Sequence, residues 1–360
     1  MAFYVDWSEK LQATRAWLSD VNAQVNDPQN YQRLIGTLNY LFSGLNPTVI
    51  NTIMRDNSGN SEYRPVDIRY IPHKGTGNLI TTDSSGTCTK VAQRRDMIQT
   101  VQPTLYAEDK FTIDEDYVRQ NAENGFKFQQ RLNKEFQDSM RVCRESMNAQ
   151  VLGALAAIFG SNPAAPVGAG AYYDLDAIIG SSGKIDDTDF DVIKNHQEDN
   201  FMSGEVGLIG LGNARRYMNR LAVGNANDAG IDYREVAAEF GMLLFKDSDA
   251  ASVLGDADYA LAIYPGMAQF YQYNLFRGDF VLNHGNLIKG TMPDPILPIT
   301  YDYTLKYDDN CSSGNGLQGA WIGRILTYFD LWTTPEDAFG DVYGALNDFN
   351  GIVGYSFNES

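Results

Sequence analysis

Cysteine and histidine are scarce in this chain, three of each in 360 residues, and that scarcity excludes several chemistries at once. Cys88, Cys143 and Cys311 are odd in number, far apart and never in CxxC spacing. That argues against a disulfide framework or a zinc ribbon. They read as free thiols, with Cys143 a small buried hydrophobe on a helical stripe. His73 falls in a polar stretch and His284 in an expected loop, and neither they nor His196 shows HExxH spacing. Long apolar runs are missing too: nothing approaches the roughly 18 residues a membrane-spanning helix needs, so no membrane partner is expected. The opening MAFYVDWSEK carries charges where a secretory signal needs an unbroken apolar stretch, which points to a cytosol-like compartment.

Catalytic signatures are equally thin. There is no GxSxG elbow and no phosphate-cradling GxxxxGKS/T loop. Acidic residues are plentiful, but nothing in the sequence pairs two of them into a hydrolytic dyad. Two stretches imitate sites. GLIGLGNARR, starting at Gly207 with Asp232 twenty residues beyond Gly212, mimics a dinucleotide fingerprint at a strand-to-helix junction. Aligning Gly210 and Gly212 as its first two glycines puts Arg215 where the close-packing third belongs, so a tight turn after a buried strand is the better reading. Asp187, Asp189 and Asp191 with Glu198 at the twelfth place mimic a calcium loop, but Val192 occupies the sixth place, where that loop turns on glycine. A helix start decorated with acids explains them better. No catalytic, cofactor-binding or metal-binding residue is nominated, no cofactor is expected, and the chain reads as no enzyme.

What is abundant is apolar and aromatic material. Forty-three per cent of residues are hydrophobic, with 21 tyrosines and 18 phenylalanines, enough to build cores and subunit interfaces. The net charge of −18 is unevenly spread. Residues 55–95 carry seven Lys or Arg against four Asp or Glu, a net of +3, whereas residues 291–360 carry two against ten, a net of −8. A free-standing nucleic-acid binder should show a basic surface, and this chain does not. One basic segment in an acidic protein suits copies that attract one another.

Along the chain, residues 1–50 read as an extended arm with short helical pieces, interrupted by Pro28 and Pro47. Residues 51–100 alternate short β-prone pieces with Gly, Ser, Asn and Pro, a two-stranded excursion too poor in apolar residues to form its own core. FTIDEDYVRQNAENG then predicts a helix, with Thr112 and Glu115 as a capping box and Asn124-Gly125 as its stop. Phe128, Leu132, Phe136, Met140, Cys143, Met147, Val151 and Leu155 recur almost entirely by fours, which predicts one uninterrupted helix over 126–159. Such a rod is about 50 Å long. Arg131–Glu135, Lys134–Asp138 and Arg141–Glu145 supply ion pairs at four-residue spacing on its solvated face. The near-absence of heptads argues against a coiled coil. After a loop-rich connector at 161–183 comes an α/β region. It comprises a helix with Phe190, Ile193 and Phe201 inward, a strand at 205–212, a helix at NARRYMNRLA, another at IDYREVAAEFG and a strand at GMLLFKD. DYALAIYPGMAQFYQYN reads as a strand followed by a helix opened by Pro265. ITYDYTLKY and GAWIGRILTYFDLW alternate as strands, and 335–360 reads as an acidic, aromatic tail.

This order of elements resembles the major capsid proteins of tailed bacteriophages of the Hong Kong 97 type. The likeness spans nearly the whole chain. It rests on the excursion, on TLYAEDKFTIDEDYVRQNAENGFKFQQRLNKEFQDSM running into the long helix, and on GEVGLIGLGNARRYMNRLA and DYALAIYPGMAQFYQYN. The resemblance implies an α+β fold with an N-terminal arm at 1–50 and an extended loop at 51–100. A peripheral domain with spine helix would occupy 101–183, an axial domain 184–290, and closing peripheral strands plus tail 291–360. It implies self-assembly into hexamers and pentamers of an icosahedral head around double-stranded DNA, located in the virion capsid and assembled in the host cytoplasm. Each loop would lie over a neighbour and each arm reach under another. Arg64, Arg69, Lys74, Lys90, Arg94 and Arg95 are then candidate inter-subunit contacts. The expected helix 126–159 carries five basic residues against three acidic, so Lys127, Arg131 and Lys134 are candidate DNA-facing positions. With no room here for a cleaved assembly domain ahead of the arm, a separate scaffolding protein or an already trimmed chain is implied, and a portal and decoration proteins are further expected partners. A tail tube or sheath subunit, and a nucleotide-using enzyme built on 205–240, remain alternative readings.

Overall fold

The structure, a computed structural model, describes residues 7–19, 33–43, 50–53, 66–70, 97–101, 103–121, 125–159, 172–175, 188–199, 204–210, 241–276, 282–284, 287–308, 312–313, 316–317, 319–334 and 351–357. In chain order it begins with helices α1 (Trp7–Ser19) and α2 (Gly36–Leu41) and strands β1 (Ile50–Ile53), β2 (Val66–Tyr70), β3 (Met97–Val101) and β4 (Leu105–Asp114). Helix α3 (Glu115–Asn121) leads into the spine, α4 (Gly125–Ile158), followed by β5 (Tyr173–Asp174), α5 (Thr188–Asp199), β6 (Val206–Gly210) and β7 (Met242–Lys246). Helix α6 (Ala250–Leu254) precedes β8 (Tyr259–Ile263), β9 (Ala268–Asn274), β10 (Leu282–His284), β11 (Leu287–Pro293) and β12 (Thr300–Asp308). A short β13 (Ser312–Ser313) and β14 (Gly316–Leu317), then β15 (Ala320–Thr333) and β16 (Ile352–Ser356), complete the chain.

Two sheets organise these elements. The first runs β1-β9-β15-β12-β11-β10, with β4 paired along the other edge of β15 over Leu105–Asp114. The second runs β5-β16-β8-β6-β7. The spine lies against the first sheet, its apolar residues from Phe128 to Leu155 buried as the fours predict. Tyr301, Tyr303, Leu305, Ile325 and Phe329 meet it from the sheet, alternating with residues on the opposite face. The expected helix over 126–159 is thus Gly125–Ile158, and the expected strands around 301–307 and 320–332 are β12 and β15.

Several expectations are corrected. The capping box does not form: β4 continues through Asp114, with Thr112 paired to Ile322, and the helix starts only at Glu115. The Glu115 carboxylate is taken instead by the Tyr307 hydroxyl at 2.6 Å. No helix follows Pro265. Tyr264 to Met267 close a type II turn, with Gly266 at φ +79° and the Met267 N–H donating to the Tyr264 carbonyl at 3.2 Å. The chain then continues as β9, whose residues are almost all buried. His284 stands in β10 rather than in a loop.

The sheets also cut the chain differently from the expected domains. β9, β10 and the start of β11 belong to the first sheet although they precede residue 290. The end of the expected tail returns as β16, buried between β5 and β8 in the second sheet. Described parts of 1–50 pack on this chain's own core: Trp7, Leu11 and Leu18 of α1, and Leu38, Tyr40 and Leu41 of α2, are all buried. The helices expected at NARRYMNRLA and IDYREVAAEFG, together with Cys88, Cys311, Phe201 and most of 161–183, lie outside the described residues.

Candidate functional site

The spine is seated on the sheet by glycine–aromatic pairs. Gly323 of β15 is opposite Phe111 of β4, and a Cβ on Gly323 would overlap the Phe111 ring. Gly290 of β11 stands in the same relation to Tyr303 of β12. The two rings lean over the glycines and leave a slot between them. Phe136 of α4 fills that slot edge-on, 5.2 Å from Phe111 and 5.6 Å from Tyr303 between ring centroids. Cys143, about two turns further on, packs beside the Ile325 carbonyl, and burial pushes its thiol up to about 12, so it is inert.

A second, polar stripe on the spine is buried as well. Gln129, half-buried, donates to the Lys10 carbonyl, to Thr14 Oγ1 and to Asn133 Oδ1, fastening α1. Arg144, 1% exposed, donates to Asp294 Oδ2 at 2.7 Å. Burial alone would depress its guanidinium, but the Asp294 carboxylate beside it prevails and holds it above the ordinary arginine value. Asp294 Oδ1 accepts from the Ile296 and Leu297 amides, so one carboxylate shapes the turn between β11 and β12 and neutralises the spine. Asn148 donates to both oxygens of Asp247 and accepts from the Leu38 amide. Asp247, fully buried after β7, also accepts from the Thr37 amide and hydroxyl. Asp249 receives Arg33 at 3.2 Å. Residues 33–41, the spine and the second sheet are therefore joined through one carboxylate centre.

The outward face of the spine is charged but largely neutralised within itself. Arg131 pairs with Glu135, Lys134 with Asp138 at 3.4 Å, and Arg141 with Glu145 at 3.2 Å, as the four-residue spacing predicts. Beside it, Tyr106, Glu108, Asp109 and Lys110 of β4 and Ser146 and Gln150 of α4 line an open groove of about 760 Å³. Arg324 donates to Glu108 at 2.6 Å and holds that carboxyl below its ordinary value. Tyr106 and, on the same stretch of the spine, Val142 are exposed.

Comparison with known proteins supplies likenesses to solved structures alone: no family model and no curated protein matches the chain. A cyanophage A-1(L) capsid asymmetric unit is similar over 92% of this chain and 95% of its own, at 10% identity and a TM-score of 0.48. A structure of the head fibre and inner core protein gp22 of native bacteriophage P68 is similar over 92% and 88%, at 11% identity and a TM-score of 0.45. A Mycobacterium phage Bobi structure covers 92% and 93%, at 10% identity and a TM-score of 0.44.

Of the candidate DNA-facing residues, Lys127 and Arg131 are exposed and Lys134 is half-buried, all on the first turns of the spine. Two of the three already carry carboxylate partners, which weakens the positive field they present. Of the candidate inter-subunit residues, Arg69 lies in β2, which pairs antiparallel with β3 as the base of the expected excursion. Arg64, Lys74, Lys90, Arg94 and Arg95 lie outside the described residues.

The imitation motifs resolve differently. At Gly207 a Cβ would overlap the Tyr40 ring, and at Gly210 it would crowd Ala260, so both glycines serve packing. The Tyr40 hydroxyl donates to the carbonyls of Ile263 and Tyr264, pinning α2 onto the second sheet. Gly212 and Asp232 lie outside the described residues. Thr188–Asp199 is helical, so Asp189, Asp191 and Glu198 do not stand in a calcium loop. Among the described residues no three His, Cys, Asp or Glu side chains gather to hold a metal, and no helix is long and apolar enough to cross a membrane. Sequence reasoning missed the polar stripe. Its signal is Gln129, Asn133, Gln137, Arg144 and Asn148, spaced four, four, seven and four along one side of the same helix.

Proposed function

We propose that this chain is a shell-forming structural subunit, the major capsid protein of a tailed bacteriophage, non-catalytic and self-assembling into hexamers and pentamers around double-stranded DNA. The observation that carries the reading is the spine. A 34-residue helix is locked to a seven-stranded sheet, while β2 and β3 form a separate two-stranded piece that belongs to neither large sheet. A two-stranded ribbon is marginal alone and gains stability by lying on something else. A neighbouring copy supplies that support, and the net charge of +3 over residues 55–95 favours docking on an acidic chain. In this reading 51–100 is the extended loop, with Arg64, Arg69, Lys74, Lys90, Arg94 and Arg95 as its contacts. The first sheet and spine form the peripheral part and the second sheet the core of the axial part. Scaffolding, portal and decoration proteins are its partners, the host cytoplasm its place of assembly and the virion its destination.

Electron microscopy of the purified protein, expressed alone and with a co-expressed scaffolding candidate, tests this. Closed shells or ring-shaped capsomers are expected. Stable monomers under every condition would overturn the proposal. A finer part concerns the exposed start of the spine. Replacing Lys127, Arg131 and Lys134 together with glutamine is expected to leave shell closure intact and lower DNA retention, measured as the fraction of filled heads. Unchanged packaging would remove these residues from the DNA-facing surface.

A further inference from the structure

β4 is a strand of 10 residues that pairs with β15 along one side alone among the described residues. Two hydrogen bonds fix which way its backbone groups point. The Glu115 amide, one residue past the strand, donates to the Gly319 carbonyl at 2.9 Å, so odd-numbered residues turn their N–H and C=O groups toward β15. The Tyr106 carbonyl points the other way and accepts from Gln150 of the spine at 3.0 Å. The even-numbered residues Tyr106, Glu108, Lys110 and Thr112 therefore present their amides and carbonyls outward, where no described strand meets them. That edge opens into the groove lined by Tyr106, Glu108, Asp109, Lys110, Ser146 and Gln150. A row of unpaired backbone groups beside open space is a template for one more strand.

The side chains on that edge select the occupant. Tyr106, Lys110 and Thr112 are exposed and Glu108 is half-buried, whereas Ala107, Phe111 and Ile113 between and beside them are buried in the core the spine shares. Arg324 holds Glu108 at 2.6 Å and Lys110 reaches Glu108 at 3.0 Å, so both charges are already positioned at the edge. When β4 of a second copy runs antiparallel to the first, with Asp109 opposite Asp109 on a two-fold axis, outward-facing residues stand opposite outward-facing residues and exchange backbone bonds. Tyr106 then meets Thr112 of the second copy and Glu108 meets Lys110, and the symmetry repeats each pair. An aromatic beside a β-branched residue and two opposite charges are both favourable cross-strand pairs. Sliding by two residues in either direction instead sets Lys110 against Lys110 or Glu108 against Glu108, so the sequence favours this one register.

We propose that the outer edge of β4 pairs with the same edge of a second copy of this chain, antiparallel and centred on Asp109. The contact uses one patch on both copies, so it closes at two and differs in kind from the head-to-tail contacts around a hexamer or pentamer. It forms between two subunits and does not require a shell. Asp109 opposite Asp109 is a like-charge contact that weakens the pair, so Asp109→Asn is expected to tighten it.

Disulfide trapping in the intact chain tests the register. Asp109→Cys sets two thiols beside the axis with their Cα atoms about 4.5 Å apart, within bridging reach. Thr112→Cys sets them about 20 Å apart. Under mild oxidation Asp109→Cys is expected to give about ten times more linked dimer than Thr112→Cys or the wild-type chain, whose own cysteines set the background. Equal yields would overturn the proposal and mean that Lys110 and Gln150 shield the edge instead. Closed shells with only background trapping would overturn this pairing and leave the capsid reading standing. Sedimentation supplies a second measurement. Adding Lys110→Pro to Asp109→Asn removes an outward N–H that β15 does not use, and should return the tightened dimer to monomer. An unchanged mass distribution would also overturn the pairing.

Discussion

Asp294→Ala is expected to destabilise the chain by about 3–5 kcal/mol, because it leaves the Arg144 guanidinium charged and unpaired inside the core. Both side chains are at most 2% exposed, so solvent screening offers little relief. The same substitution removes the acceptor of the Ile296 and Leu297 amides, so the turn between β11 and β12 should loosen with the spine. The urea midpoint of the purified subunit reads the first effect, and exchange of the two amides reads the second. The paired replacement Arg144→Met with Asp294→Leu separates charge from packing. It should recover much of the loss, since an apolar pair of similar volume removes the stranded charge. If the single variant loses less than about 1 kcal/mol, the level of an exposed pair, then the ion pair is not buried.

Phe136→Ala should bring a loss of similar size, about 3–5 kcal/mol, the range for emptying a large aromatic from a core. Phe136 is fully buried, and its slot is walled by two rings fixed over glycines on separate strand pairs. The walls cannot collapse inward easily, because each ring already rests on the backbone of the opposing strand. That predicts the upper part of the range. Gly323→Ala approaches the same slot from below, displacing Phe111 and through it Phe136. The two substitutions share a partner, so their combined loss should fall short of the sum, which a double-mutant cycle measures. Strict additivity would mean that Gly323 and Phe136 are not coupled through Phe111.

The spine was legible because its code is local. Apolar residues at steps of four mark one face of one helix, and the ion pairs at Arg131, Lys134 and Arg141 follow from the same geometry. β12 and β15 are legible because the residues that meet the spine, Tyr301, Tyr303 and Leu305 on one and Ile325 and Phe329 on the other, recur at even spacing. Elements decided by distant partners carry misleading local signals. Pro265 suits a helix start and a turn equally well, and only Gly266 at positive φ and the pairing of β9 with β15 select the turn. Thr112 and Glu115 match a capping box, but pairing with β15 outweighs that local preference. β16 reads as tail in the sequence because the acidic stretch ahead of it masks a short, uncharged, β-prone run, Ile352 to Ser356. The stripe from Gln129 to Asn148 is hard to recognise in the sequence, since polar residues on a helix are ordinarily solvated. Its period matched the apolar face closely enough to have marked a second buried contact.

The placement of β16 has a kinetic meaning. Among the described residues β16 is the last strand, and it lies inside the second sheet against β8, while α1 and α2 lie on the spine and α2 also on β6 and β7. β16 pairs with β8 across a long stretch of sequence, and such non-local closure is slow. A chain that stops short of Ile352 lacks an interior strand of its second sheet and exposes the edge of β8. Such a chain is expected to carry an unpaired strand edge, which makes it prone to aggregation and proteolysis.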